Sequence, residues 1–259
     1  MSSELKTERH GSTLVLTMSD PATRNTLSEQ LISAGIEALN VAEADPELRA
    51  VIVRGDGAHF CAGGNLNGLA ARRQSGPAAQ VQMLEQLHQF VEALRVFPKP
   101  VIAAVEGAAA GAGFSIALAC DLVVAAEDAR FVLSYAKVGL TPDGGATWHL
   151  TRALPRQLVQ QLVWLAEPAS ARQLLALGLV NSVTDSGQAL AEALKLAERL
   201  AAMAPNAVVA AKELVNQAAT QGLTQQLDAE RNHFIDSLFH PNAGEGLQAF
   251  FDKRAPKFR

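Results

Sequence analysis

Short apolar runs and helical periodicities alternate in the first part of the chain. Two runs rich in apolar and β-branched residues, at 12–18 and 49–54, are typical of strands. Between them, apolar residues recur at three- and four-residue spacing from Leu27 to Leu39, which predicts an amphipathic helix. The pattern therefore predicts one strand–helix–strand unit.

The same unit recurs further along the chain. A long amphipathic helix is predicted at about 78–96, where two prolines follow and end it. Strands are predicted at 101–105 and 121–125, with a short helix at 114–119 between them. The polar stretch at 70–79 is predicted to be mobile. Strands separated by helices are typical of an α/β protein.

Beyond residue 145 the apolar spacing is mostly helical. Helices are predicted at 147–154, 155–165, 170–176, 188–203, 207–220 and 223–239. Pro205 separates the first four of these helices from the last two. We therefore expect an α/β core at 1–204 and a helical C-terminal region at 205–259.

Composition narrows the class of protein. The chain has 259 residues, of which 49% are hydrophobic, and this balance is typical of a globular protein. A net charge of −4 and the lack of a basic block argue against a nucleic-acid partner. Two cysteines suit a reducing compartment, and no apolar stretch has the length of a signal peptide or a membrane span. We expect a cytoplasmic protein without a membrane partner.

Two turns of small residues are the first candidates for chemistry. Ala62-Gly63-Gly64 and Gly111-Ala112-Gly113 leave the backbone open to a ligand, and the second turn precedes a predicted helix. Two N–H groups that converge on one carbonyl oxygen would form an oxyanion hole, worth about 3 kcal/mol per donor. The same glycines would equally serve close packing of a helix on a strand.

Asp143 is the third candidate. It lies in Thr-Pro-Asp-Gly-Gly at 141–145, just before a predicted helix. An aspartate at such a place forms a turn or caps a helix, whereas beside an apolar pocket it becomes a general base or a nucleophile. His149, His233 and His240 lack the mutual spacing of metal ligands, so no metal is expected.

Three segments carry a resemblance to a known family. They are FCAGGNL at 60–66, KPVIAAVEGAAAGAGFSIALACD at 99–121 and ARFVLSYAKVGLTPDGG at 129–145. Together they resemble the enoyl-CoA hydratase/isomerase, or crotonase, superfamily. The resemblance implies an α/β crotonase-like spiral of repeated ββα units and a helical C-terminal trimerisation region. It also implies a homotrimer or a dimer of trimers, and a coenzyme A thioester as substrate with no separate cofactor.

The resemblance also implies site residues. The oxyanion donors would be the backbone N–H groups of Gly64 and Ala112. The coenzyme A site would comprise Arg24, Ala62, Leu66, Phe250 and Lys253, the last two on the final helix and supplied by the same or a neighbouring subunit. Apart from the resemblance, we expect an acyl pocket that comprises Phe114, Ser115, Tyr135, Leu140 and His88.

The residues at the catalytic positions bear on the reaction. Hydratases of this family hold water with two glutamates, and the matching positions are Ser115 and Tyr135. Neither side chain ionises usefully at neutral pH. An acid at Asp143 is similar to the ring-1,2-epoxyphenylacetyl-CoA isomerase and to double-bond isomerases, in which one carboxylate moves a proton. We therefore expect an acyl-CoA isomerase that acts through an enolate, with Asp143 as general acid/base.

Three alternatives stay open at this point. The chain would be a hydratase if it adds water to a 2-enoyl-CoA. It would be an aryl-CoA dehalogenase if Asp143 is a nucleophile and His88 a base, because both residues match positions of the dehalogenases that act on 4-chlorobenzoyl-CoA. It would be a non-catalytic acyl-CoA binder if the carboxylate takes no part in chemistry.

Overall fold

The computed structural model describes residues 3–259, which form alternating strands and helices followed by a mostly helical C-terminal part. The strands are β1 (Glu4–His10), β2 (Thr13–Ser19), β3 (Ala50–Gly55), β4 (Val101–Val105), β5 (Ala108–Ala110), β6 (Leu122–Ala126), β7 (Arg130–Val132), β8 (Ala169–Ser170) and β9 (Ser182–Thr184). The helices are α1 (Glu29–Ala44), α2 (Leu66–Ser75), α3 (Pro77–Val96), α4 (Ala112–Ala119), α5 (Ala146–Ala153), α6 (Arg156–Leu165), α7 (Ala171–Ala176), α8 (Ala189–Ala201), α9 (Pro205–Ala218), α10 (Leu223–Leu238) and α11 (Pro241–Phe251). Two short 3₁₀ helices cover Pro21–Thr23 and Ser134–Val138.

Two sheets organise these elements. The larger sheet has the order β1-β2-β3-β4-β6-β9, and every pair in it is parallel except the first. The smaller sheet has the order β5-β7-β8. Parallel neighbours need crossover connections, and the helices between the strands supply them. The predicted α/β class is confirmed.

Both faces of the larger sheet are covered, which explains its apolar strands. Successive residues of β3 point to opposite faces, so Val51 and Val53 join the main core while Ile52 joins a second one. Helix α8 covers the second face with alanines spaced four residues apart, which lie on one side of the helix. These are Ala189, Ala193 and Ala197.

The structure corrects two sequence predictions in the first part of the chain. The stretch at 70–79, for which no regular structure was predicted before residue 78, is mostly helical, because α2 and the start of α3 occupy it. The side chain of Asn65 begins α2 by accepting hydrogen bonds from the N–H groups of Asn67 and Gly68. The helix predicted at 114–119 begins two residues earlier, so Ala112 is its first residue.

The C-terminal region is a set of three helices. The helices predicted at 207–220 and 223–239 are confirmed as α9 and α10, whereas the apolar spacing did not predict α11, and only the resemblance placed a last helix there. Neither α9 nor α10 buries a residue within the described part of this chain. Helix α9 begins at Pro205, and the division into 1–204 and 205–259 stays a prediction.

Three features of the described residues bear on the class of protein. No helix within 3–259 is long and apolar enough to cross a membrane. Within the same range, no three His, Cys, Asp or Glu side chains lie close enough together to hold a metal ion. Cys61 and Cys120 are free thiols, and both are buried.

Candidate functional site

The two small-residue turns lie side by side. Cys61, just before the first turn, pairs in parallel with Ala109, just before the second. The N–H of Cys61 donates to the carbonyl of Ala108 at 3.0 Å, and the N–H of Ala110 donates to the carbonyl of Cys61 at 2.8 Å. Because both segments leave this pairing in the same direction, the backbones of 62–64 and 111–113 meet.

Glycine is required where the turns meet. A Cβ atom on Gly113 would lie 2.2 Å from the carbonyl oxygen of Cys61. A Cβ atom on Gly63, whose φ is +83°, would lie 2.7 Å from the carbonyl oxygen of Ala110 and 3.1 Å from the amide nitrogen of Ala112. Close packing therefore accounts for these two glycines, and it is also what brings the two turns together.

Two backbone N–H groups at this junction are available to a ligand. Ala112 is the first residue of α4, and the first N–H groups of a helix have no partner inside it. Within residues 3–259, the N–H groups of Ala112 and Gly64 donate to no acceptor. Gly64 is exposed, and the partial positive charge at the start of α4 favours negative charge. The junction therefore leaves two N–H donors for a ligand, which an oxyanion hole requires.

Asp143 is held beside the start of α4. The hydroxyl of Tyr135 donates to Asp143 Oδ1 at 2.6 Å. The hydroxyl of Ser115, on α4, donates to the backbone carbonyl of Asp143 at 2.9 Å. A Cβ atom on Gly111 would lie 3.5 Å from the Tyr135 hydroxyl, so Tyr135 bridges the second turn and the carboxylate.

The surroundings shift the pKa values of three side chains in the site. Burial raises the pKa of Asp143 above its ordinary value, and the hydrogen bond from Tyr135 and the charge of His88 offset part of this rise. Burial and the neighbouring carboxylate raise the pKa of Tyr135 above its ordinary value, so the phenol stays protonated. Burial raises the pKa of Cys61 to about 12, which makes it a poor nucleophile.

The predicted acyl-pocket residues have different environments. Ser115 and Tyr135 are buried beside Asp143, and His88 is an exposed residue of α3 whose charge reaches Asp143. Leu140 is 47% exposed, at the end of the segment that carries Tyr135. Phe114 is 1% exposed with its ring 5.1 Å from that of Phe131, which places it in the core behind the turn.

The predicted coenzyme A residues fall into two groups. Arg24 and Ala62 are adjacent, because the N–H of Ala62 donates to the carbonyl of Arg24 at 2.9 Å, and Leu66 is exposed at the start of α2. Phe250 is 78% exposed on α11, and Lys253 lies beyond the end of that helix rather than on it. Within residues 3–259 neither has a hydrogen bond or ion pair with the two turns.

Asn25 supports the first turn, and the sequence reasoning missed it. Its side chain is buried and accepts from the N–H of Asp20 at 2.9 Å. It donates to the carbonyls of Asp56 and His59 at 2.9 and 2.7 Å, just before Cys61. Its φ of +59° is a conformation that asparagine tolerates better than most residues. An asparagine between a strand and a helix was the available signal.

Comparisons with known proteins identify the family of the chain. Residues 8–259 match the sequence profile of the family described as enoyl-CoA hydratase/isomerase. The chain belongs to the enoyl-CoA hydratase/isomerase family. Its members act on coenzyme A thioesters, and the expected crotonase-like α/β fold is confirmed by solved structures. One is an enoyl-CoA hydratase from Polaromonas sp. JS666, with a TM-score of 0.98, 54% identity, and coverage of 99% of this chain and 100% of that one.

Two bacterial relatives of this family member are named for different reactions. The 2,3-dehydroadipyl-CoA hydratase of Escherichia coli (strain K12) is 35% identical over 99% of this chain and 99% of its own length. The 1,2-epoxyphenylacetyl-CoA isomerase of the same strain is 36% identical over 95% of this chain and 94% of its own length. Family membership therefore leaves the choice between the two reactions to the site residues.

Proposed function

We propose that this family member is an acyl-CoA isomerase. Asp143 is the general acid/base, and the N–H groups of Gly64 and Ala112 bind the thioester oxygen. The observation that carries the proposal is the half-buried Asp143 carboxylate, held at 2.6 Å by Tyr135 beside the start of α4. The two positions that correspond to the glutamates of hydratases are occupied by Ser115 and Tyr135, which are not carboxylates.

The proposed reaction moves one double bond. The Asp143 carboxylate takes a proton from C2 of a 3-enoyl-CoA, and the electron pair of the broken C–H bond enters a dienolate. The negative charge of the dienolate rests on the thioester oxygen, between the N–H groups of Gly64 and Ala112. Neutral Asp143 then returns the proton to C4, which leaves the double bond between C2 and C3 and regenerates the carboxylate.

The electrostatics of the site suit this cycle. Each N–H donor of an oxyanion hole contributes about 3 kcal/mol to stabilising the developing charge. Burial raises the pKa of Asp143, and a base whose pKa is closer to the working pH removes a carbon-bound proton more readily. One carboxylate is sufficient, because the same group removes and returns the proton.

Isomerisation of a 3-enoyl-CoA tests the proposal. We expect the purified protein to produce conjugated 2-enoyl-CoA, seen as a gain in thioester absorbance, and to rearrange the epoxide of phenylacetyl-CoA if its pocket accepts an aryl group. Asp143→Asn keeps the shape of the side chain but removes the base, so both activities should be lost. Asp128→Asn is the matched control, because Asp128 is exposed and its side chain makes no hydrogen bond within residues 3–259. Full activity in Asp143→Asn would exclude the proposed role.

Hydration of a 2-enoyl-CoA is the second candidate function. It is favoured by the 54% identity to a solved structure described as an enoyl-CoA hydratase. Loss of conjugated absorbance from crotonyl-CoA measures this reaction. Hydration faster than isomerisation would favour the second candidate, and tight acyl-CoA binding without either reaction would favour a non-catalytic binder.

We also propose that the chain forms homotrimers or dimers of trimers through its C-terminal helices. Large apolar side chains on α10 are exposed in the single chain, among them Leu223 at 75% and Phe234 at 67%. Exposed apolar surface of this kind marks contacts between subunits. Light scattering after gel filtration tests the subunit number. The free thiols suit a reducing compartment, and we propose the cytoplasm as the location.

A further inference from the structure

A short chain reversal sets Tyr135 opposite Asp143. The 3₁₀ helix Ser134–Val138 ends at Gly139, whose φ of +71° is readily adopted by glycine. The N–H of Leu140 then donates to the carbonyl of Tyr135 at 3.0 Å and closes the reversal. The chain returns to Asp143 with the phenol hydroxyl 2.6 Å from Oδ1.

Asp143 is fixed at both its main chain and its side chain. Its carbonyl accepts from the Ser115 hydroxyl at 2.9 Å and from the N–H of Ala146 at 3.3 Å. Its Oδ1 accepts from Tyr135, whereas no donor within residues 3–259 bonds Oδ2. The carboxylate therefore has a defined orientation and one oxygen without a protein partner.

We propose that Tyr135 is a positioning residue for Asp143: its hydroxyl holds Oδ1, so that Oδ2 is the oxygen that meets the substrate. The proposal rests on the acid/base role proposed for Asp143. It changes the role expected for Tyr135, which was a wall of the acyl pocket. Tyr135 is also 9% exposed, and a Cβ atom on Gly111 would lie 3.5 Å from its hydroxyl, so it holds the carboxylate close to the second turn.

Tyr135 acts as a donor and not as a second base. Its phenol remains protonated at neutral pH, because burial and the Asp143 carboxylate both disfavour the phenolate. A protonated phenol stabilises the carboxylate form of Asp143 and limits rotation of its side chain. A displacement of about 1 Å in a reacting group costs about 100-fold in rate, so loss of this restraint affects turnover more than binding.

Two replacements test the role of the hydroxyl in opposite directions. Tyr135→Phe keeps the ring and removes the donor. We expect KM to change little, kcat to fall by about 10- to 100-fold, and the acid limb of the kcat/KM profile to move to higher pH. The limb moves up because a carboxylate that loses a hydrogen-bond donor has a higher pKa.

The second replacement uses the fact that Tyr135 is the one tyrosine of the sequence. Biosynthetic incorporation of 3-fluorotyrosine therefore changes this residue alone, with almost no change in size. Fluorine makes the phenol a stronger donor, so the acid limb should move to lower pH, opposite to Tyr135→Phe. A purely structural role would not shift the limb in opposite directions, and the fluorinated protein keeps the test valid if the phenylalanine variant fails to fold.

The outcomes separate this inference from the proposed function. Inactive Asp143→Asn together with opposite shifts of the acid limb in the two Tyr135 proteins supports both. Inactive Asp143→Asn with an unshifted limb in the fluorinated protein overturns the role of Tyr135 alone. Active Asp143→Asn overturns the proposed function, and the role of Tyr135 with it.

Discussion

Replacing Lys212 with methionine should destabilise the protein by removing an ion pair that ties α9 to the larger sheet. Lys212 Nζ lies 2.6 Å from Asp121 Oδ2 and also donates to the carbonyl of Lys99 at 3.2 Å. The same carboxylate oxygen accepts the N–H of Val101, at the start of β4, at 2.7 Å. The Lys212 side chain is 10% exposed and that of Asp121 is 27% exposed, so solvent screens the pair only in part.

The partial exposure of this ion pair determines how much stability Lys212→Met should lose. Exposed ion pairs contribute about 0–1 kcal/mol, whereas removing one partner of a fully buried pair costs about 3–5 kcal/mol. Asp121 keeps its bond from Val101 and some contact with water, so we expect a loss of about 2 kcal/mol in Lys212→Met. This corresponds to a decrease in Tm of roughly 4–8 °C for a chain of this size.

The loss should depend on pH. Burial raises the pKa of Asp121 in the folded protein, and the charge of Lys212 opposes this rise, so Lys212→Met raises that pKa further. An acid whose folded pKa exceeds its unfolded value binds more protons when folded, so its contribution to stability falls as pH rises between the two values. Lys212→Met should therefore be most destabilising near neutral pH, and less so in mild acid.

Urea unfolding followed by circular dichroism at pH 7 and pH 5 measures both effects. Lys195→Met is the matched control, because Lys195 is 70% exposed and pairs with Glu192 on the surface of α8. The control should change stability by less than about 0.5 kcal/mol. The reasoning is refuted if Lys212→Met costs no more than Lys195→Met at pH 7, or if its cost is the same at both pH values.

Three further predictions concern Gly113, Asn25 and His149. Gly113→Ala should lower the free energy of unfolding by about 3 kcal/mol or more and abolish activity, because the new Cβ would lie 2.2 Å from the carbonyl oxygen of Cys61. The control Gly244→Ala should be neutral or stabilising in thermal unfolding, because no described atom lies within 4 Å of its Cβ. Asn25→Ala should be less stable than Asn25→Gly by about 1 kcal/mol in urea unfolding. Both variants lose the same hydrogen bonds, but only glycine adopts the φ of +59° without strain, so equal stabilities would contradict this prediction. Burial and two arginines lower the pKa of His149 to about 4, so an NMR titration should show a neutral imidazole at pH 6, and Arg95→Gln should raise that pKa.

Elements with strong periodicity could be predicted from the sequence. β3, β4 and the helices α1 and α3 bury apolar residues at the spacing that their conformation requires, and the pattern predicted all four. Helix α2 buries no residue, so it has no apolar face to detect, and its signal is the capping side chain of Asn65. Strands of two or three residues, such as β8, are too short for an alternation to be visible.

In the candidate site, too, some features could be predicted from the sequence and others could not. The two glycine turns follow from local sequence, because small residues are needed wherever two backbones approach closely. The bond between Tyr135 and Asp143 depends on how the chain reverses between them, and the sequence alone assigned Tyr135 to the pocket wall. Burial of Phe114 against Phe131 likewise depends on the packing of α4 on the smaller sheet. Residue types gave the chemistry of the site, and tertiary packing determined which groups face each other.

The two buried thiols can report local opening of the structure. Cys61 lies at the base of the first turn and Cys120 at the end of α4, and burial raises the pKa of both thiols. An alkylating reagent reacts with the thiolate of an exposed cysteine, so modification rates measure how often each segment opens. A thioester seated at the turns should protect Cys61 more than Cys120. Mass spectrometry of the two peptides would then detect occupancy of the site without any turnover.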